Sequence, residues 1–140
     1  MKKNLVIINN EKCIKKGDSF YCENIEISSI TNLLSKTLNI KLILRELTVN
    51  PIHKISNSKV ITSLNIFIFI KNIINSAIRD NAKYLIISVT PYTFTSFLFL
   101  LLFKKKIFLY LRSDGKKEIS IIFGKKTSFI YKMVENIMVK

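Results

Sequence analysis

Apolar residues along this chain alternate between short unbroken runs and runs with helical spacing, and the alternation predicts strands and helices in turn. Leu5, Val6, Ile7 and Ile8 form a run of strand length that ends at Asn9 and Asn10, the pattern of a strand covered on both faces. A polar loop through Gly17 and Asp18 is expected next. Ile27, Ile30, Leu34 and Leu38 then recur every three or four residues, which places them on one face of a helix. A second strand is predicted over 40–47, broken by Thr48, Val49, Asn50 and Pro51, because proline removes a ladder donor and restricts the residue before it. After a loop to about Val60, the positions Ile66, Ile70, Ile73, Ile74 and Ala77 predict a long crossover helix over 63–80, capped by Thr62 or Ser63.

The second half repeats the rhythm. A third strand is predicted over 84–89, and Thr90-Pro91 is a strong helix start, with a hydroxyl to cap free amides and proline at the first helical position. That helix should end near Lys104, where three lysines oppose the negative end of its dipole. A fourth strand follows over 107–111 and closes in Arg112, Ser113, Asp114 and Gly115. Residues 119–123 fit either a short strand or a helical turn. Thr127 or Ser128 caps a last helix carrying Ile130, Met133, Val134 and Ile137, and the sequence reaches Lys140 with no stop signal, so it reads as cut.

Strand, helix, strand, helix, strand, helix, strand is the order of βαβ units. The fold class expected is therefore α/β, a Rossmann-like, open and mostly parallel sheet with helices on both faces, in a single domain over residues 1–140. In such sheets ligands bind where loops leave the carboxyl ends of the strands. Those loops hold Asn50 and His53 after the second strand, Thr90 and Tyr92 after the third, and Arg112, Ser113, Asp114 and Gly115 after the fourth. The last cluster sets a cation, a hydroxyl and a carboxylate before a flexible glycine, which suits a polyhydroxylated or phosphorylated ligand; equally, Asp114 could cap a turn and pair with Arg112. Asn9 and Asn10 stand where GxGxxG or GxxxxGK[ST] would begin, so neither a dinucleotide fingerprint nor a phosphate loop is present.

Charge changes the picture only in part. The net charge is +14, yet of 23 basic residues only Arg45, Arg79 and Arg112 carry the planar fork that reads guanine and clamps phosphate. No basic stripe interleaved with aromatics marks a nucleic-acid surface, so no nucleic-acid partner is expected, and an anionic membrane surface is the electrostatic partner the lysines favour. The apolar stretch 94–103 is about half the length a bilayer-spanning helix needs; it reads as a buried helix or, failing that, a peripheral membrane contact. Cys13 and Cys22 have no CxxC spacing and the one histidine, His53, is distant, so they are expected in a polar loop as free thiols, with no metal site. Met1-Lys2-Lys3 runs straight into the first strand, too brief for an export signal, and the cytoplasm is the expected location.

The order of elements, and the stretches Tyr84-Leu85-Ile86-Ile87-Ser88-Val89-Thr90-Pro91 and Phe108-Leu109-Tyr110-Leu111-Arg112-Ser113-Asp114-Gly115, resemble the N-terminal domain of family 4-type (group 1) glycosyltransferases of the GT-B fold, as does the helix bearing Phe129-Ile130-Tyr131. The resemblance implies the acceptor-side half of a two-domain retaining enzyme whose C-terminal donor domain is absent here and whose separate halves are inactive. It implies transfer of a hexose from a nucleotide-sugar, without metal or other cofactor, to a saccharide or lipid-linked acceptor in cell-envelope polysaccharide synthesis, at the inner face of the membrane. The chain departs from the family in Asn9-Asn10, where a glycine-rich turn is common, and in Arg112-Ser113-Asp114, where many members have a histidine. The competing expectation is a non-catalytic α/β binding or membrane-associated assembly module.

Overall fold

A computed structural model describes residues 2–46, 51–111 and 125–139, with side chains described to Leu111 and from Lys132. Its elements are β1 (Lys3–Lys16), β2 (Ser19–Cys22), α1 (Ile25–Leu34), β3 (Leu38–Glu46), β4 (His53–Ile55), β5 (Lys59–Ser63), α2 (Ile66–Arg79), β6 (Lys83–Ile87), α3 (Pro91–Leu102), β7 (Ile107–Tyr110) and α4 (Lys125–Val139). Five strands form a parallel sheet in the order β5-β3-β1-β6-β7. The α/β architecture with an open, mostly parallel sheet is therefore as the hydrophobic pattern implies, and it is compatible with a Rossmann-like fold.

Alternation along the strands explains the layers. Val6, Ile8, Ile43, Tyr84 and Ile86 point to one face, where they pack with Phe69 and Ile73 of α2, Phe97 and Leu100 of α3 and Met138 of α4. Leu5, Ile7, Leu42, Leu44 and Ile87 point to the other, where Ile27 of α1 covers them. The covering face changes as the chain, having added β3 and β5 on one side of β1, returns to add β6 and β7 on the other. A right-handed crossover demands that exchange.

Two segments differ from the sequence expectation. The polar loop after the first strand is instead a continuation of it: β1 runs on to Lys16 and turns back as β2, with Cys13↔Cys22 through Lys16↔Ser19 in antiparallel register. The reason is a bulge. Ile8 pairs with Ile43 and Lys12 with Arg45, so β1 advances four residues while β3 advances two, and the surplus of two falls within the polar run Asn9, Asn10 and Glu11 that reads as a strand end. Gly17 makes the hairpin turn at φ 57°, in the left-handed region. Likewise the expected loop before Val60 contains β4, which pairs with β2, and β5, which pairs with β3.

Helix boundaries move accordingly. Asn65, not Thr62 or Ser63, caps α2, its side chain accepting from the Ile68 amide at 3.0 Å, while Ser63 is buried at the end of β5. Leu38 belongs to β3 rather than to the preceding helix. At α3 the expected start holds: Pro91 is the first helical residue, Thr90 Oγ1 accepts from the Thr93 amide at 3.2 Å, and the Thr90 amide donates to Thr93 Oγ1 at 2.8 Å. The α3 helix is not wholly buried, because Leu98, Leu101 and Leu102 are exposed. Among the described residues no helix is long and apolar enough to cross a membrane.

Candidate functional site at the carboxyl edge of the sheet

The strand order reverses between β1 and β6, which makes the crevice above their carboxyl ends the switch point of the sheet. Polar residues interrupt the apolar pattern of β1 there. Asn9, in the bulge, is buried; its Nδ2 donates to the Ile87 carbonyl at the end of β6 (3.2 Å) and its Oδ1 accepts from the Glu11 amide (2.6 Å). Asn9 thus satisfies the groups that the bulge strips of ladder partners. Its neighbour Asn10 accepts at Oδ1 from Nη1 of Arg45, at the end of β3 (3.3 Å).

Arg45 is the organising cation. Its guanidinium carbon lies 4.7 Å from the centroid of the Tyr92 ring, and that ring stands edge-on to Phe69 of α2 at 5.3 Å with an interplanar angle of 87°. Tyr92 is placed by the first turn of α3, which the Thr90 cap fixes. One fork of a guanidinium is spent on Asn10, and the remaining donors suit a carboxylate, a phosphate or vicinal hydroxyls. Glu46, the next residue, projects to the opposite face, where its Oε2 accepts from Thr62 Oγ1 at the end of β5 (3.4 Å).

The rim of the crevice is strained. Ser88, directly after β6, adopts φ 65° without being glycine. It is held on both sides: its amide donates to the Tyr110 carbonyl of β7 (2.9 Å) and its carbonyl accepts from Thr93 Oγ1 (2.9 Å). A non-glycine residue in that region costs roughly 1–3 kcal/mol and recurs at sites where backbone placement matters.

Of the residues expected from sequence, Thr90 and Tyr92 lie at this crevice, Thr90 as a cap and Tyr92 as the platform for Arg45. His53 sits on β4, opposite Cys22, and its carbonyl accepts from the Cys22 thiol at 3.7 Å; no hydrogen bond or ring contact joins it to Thr90 or Tyr92 among the described residues. Arg112, Ser113, Asp114 and Gly115 fall outside the described residues, as does Asn50. Asn10 and Arg45 were missed as site residues: Asn10 follows the predicted first strand, where the rule that selected the other loops applies, whereas Arg45 lies inside the strand predicted over 40–47 and no such rule marks it. Cys13 and Cys22 are free, as expected, but buried rather than in a loop. Among the described residues no group of three or more His, Cys, Asp or Glu is placed to hold a metal ion.

No protein-family model, curated protein or solved structure matches the chain.

Proposed function

We propose that this domain is the acceptor-side half of a GT-B glycosyltransferase of the retaining type. It would bind a saccharide or lipid-linked acceptor while a donor domain supplies the hexose from a nucleotide-sugar, with the two parts active only together. The observation that carries the reading is the furnishing of the switch-point crevice. A nucleotide-binding sheet uses that position for a glycine turn and a helix N-terminus that follow the first strand and hold phosphates. Here β1 passes the crevice as a bulge and continues into a hairpin, so the first strand offers no such phosphate cradle. What the crevice offers instead is Arg45, Asn10 and Tyr92, a fork, an amide and an aromatic platform suited to hydroxyl-rich ligands. Thr90 positions Tyr92, and the loop positions in the sequence add Arg112, Ser113, Asp114, Gly115 and His53 to the proposed acceptor set.

Amide-resolved NMR titration of the chain tests this. Oligosaccharides of the envelope type should shift Asn10, Arg45, Ser88 and Tyr92, while nucleotide-sugars should leave them unmoved. Shifts produced there by a nucleotide-sugar alone would transfer the site to the donor side. Silence toward every saccharide would leave the non-catalytic binding module as the better reading.

A further inference from the structure

The opposite edge of the sheet, at the amino ends of the parallel strands, is built from lysine. A cleft of about 530 Å³ there is lined by Lys2, Lys3, Lys83, Lys104, Lys105 and Lys106 together with Asn4, Asn81 and Ala82. Two adjoining clefts add Lys36, Lys59 and Lys41. Across all three linings the one carboxylate is Asp80, and it is already engaged by Lys41 and by Ser76 Oγ at 2.6 Å. Part of this charge has a local task. Helices α1, α2 and α3 deliver their carboxyl ends to this edge, where cations are favourable; Lys2 donates to the Ser35 carbonyl (2.9 Å) and Lys105 to the Asp80 carbonyl (3.3 Å). Lys3, Lys36, Lys59 and Lys104 remain exposed beyond that need.

Apolar side chains border the lysines. Leu101 is 50% exposed and Leu102 74%, at the end of α3 just ahead of Phe103 and Lys104; Phe108, on β7, the edge strand among the described residues, is exposed with Lys83 and Lys106 over its ring. Solvated leucines beside mobile ammonium groups are the chemistry of a bilayer surface, where lysines meet headgroups and leucines enter the acyl boundary. A soluble phosphate ligand would be poorly served, since three helix carboxyl ends turn their partial negative charge toward it and, among the described residues, no helix N-terminus faces it. A nucleic acid would gain nothing from the leucines.

We infer that the lysine-lined amino edge of the sheet, with Leu101 and Leu102, docks on an anionic lipid bilayer. The five-residue β6 separates that edge from the switch-point crevice by about 17 Å, so docking leaves the crevice turned away from the bilayer. The inference does not depend on the glycosyltransferase reading, and a failure of either leaves the other standing.

The test is co-sedimentation of the chain with phosphatidylcholine vesicles containing or lacking phosphatidylglycerol. Binding should require phosphatidylglycerol and weaken as salt rises. Replacing Lys3, Lys83 and Lys106 together by Gln should lower affinity by roughly a hundredfold, and the same three changed to Arg should retain it. Replacing Lys12, Lys15 and Lys16 by Gln, on the hairpin, removes equal charge and should cost less than about threefold, since those lysines lie more than a Debye length from the docked edge. Leu102→Ser should weaken binding severalfold. Thermal melts establish that each variant is folded. The inference fails if phosphatidylglycerol vesicles are not bound at low salt, or if both glutamine triples lose affinity equally. It also fails if Leu102→Ser binds as well as the parent while soluble polyphosphate competes fully, which would mark a general polyanion surface.

Discussion

Cys13 of β1 stands directly opposite Cys22 of β2, and both side chains are fully buried. Burial is the main reason that their thiols are pushed up, Cys13 to about 12, with the charge of Cys22 adding to it, and Cys22 to about 11. Such thiols are protonated and shielded, so a disulfide-exchange reagent at pH 8 should find neither in the native protein and both after unfolding. The linkage has a definite sign. The folded chain holds these protons to higher pH than the unfolded chain, so stability is fully present below the ordinary thiol value of 9.0 and falls as pH rises from there. Urea midpoints measured between pH 8 and pH 11 should decline, and Cys13→Ala should flatten the decline. Tyr84, raised by burial and then by the charge of Asp80, acts in the same direction above its ordinary value of 10.0.

Asp80 gives the opposite dependence. Burial disfavours its charge, but hydrogen bonds from Lys41 and Ser76 and the charges of Lys41 and Lys59 prevail, and its carboxyl lies below the ordinary value of 3.8. Its contribution is present above the ordinary carboxylate range and is lost as pH falls through the lowered value. Because the pair is partly exposed, at 20% and 29%, Asp80→Asn should cost about 1–2 kcal/mol at pH 7 in urea unfolding, and the difference from the parent should shrink toward pH 3.

The sequence makes the buried layers legible because uninterrupted apolar runs such as Leu5, Val6, Ile7 and Ile8 have few ways to be satisfied other than between two helical layers. It hides the bulge because Asn9, Asn10 and Glu11 are polar, and a polar run reads as a strand end unless the ladder partners of its backbone are known. Asn9 Nδ2 meets the Ile87 carbonyl 78 positions away, a relation that no local pattern encodes. The same blindness misplaces Cys13 and Cys22, whose burial depends on a hairpin only four residues wide at β2. Thr90-Pro91, by contrast, is legible since a cap is a local contract between side chain and amide, and the structure keeps it. Arg45 escapes notice as one basic residue among many until Tyr92 and Asn10 are brought to it by separate elements.

Ser88 offers a separation of stability from site geometry. Glycine occupies φ 65° without the steric cost that serine bears, though it gives up more entropy on folding. Ser88→Gly should therefore raise stability by about 0.5–1 kcal/mol, whereas Ser88→Val, branched at the same backbone position, should lower it by more than about 1 kcal/mol. Denaturant melts of the two variants decide this, and a loss of stability in the glycine variant would mean that the conformation is not strained.

Arg45 and Tyr92 come from β3 and α3, so their contact bears on the fold and, in the proposed acceptor site, on ligand binding. A half-buried guanidinium over a phenol ring contributes about 0.5–1 kcal/mol, which a double-mutant cycle of Arg45→Met and Tyr92→Leu should return as coupling in urea unfolding. Arg45→Lys separates the two duties. Lysine keeps a cation over the ring and should retain most of the coupling, but it lacks the planar fork that can hold Asn10 and a ligand together. Saccharide affinity, read by the same amide shifts, should fall at least tenfold in Arg45→Lys while the melting temperature moves by no more than a few degrees. Equal affinity in the two proteins would assign Arg45 to the fold alone and remove it from the acceptor site.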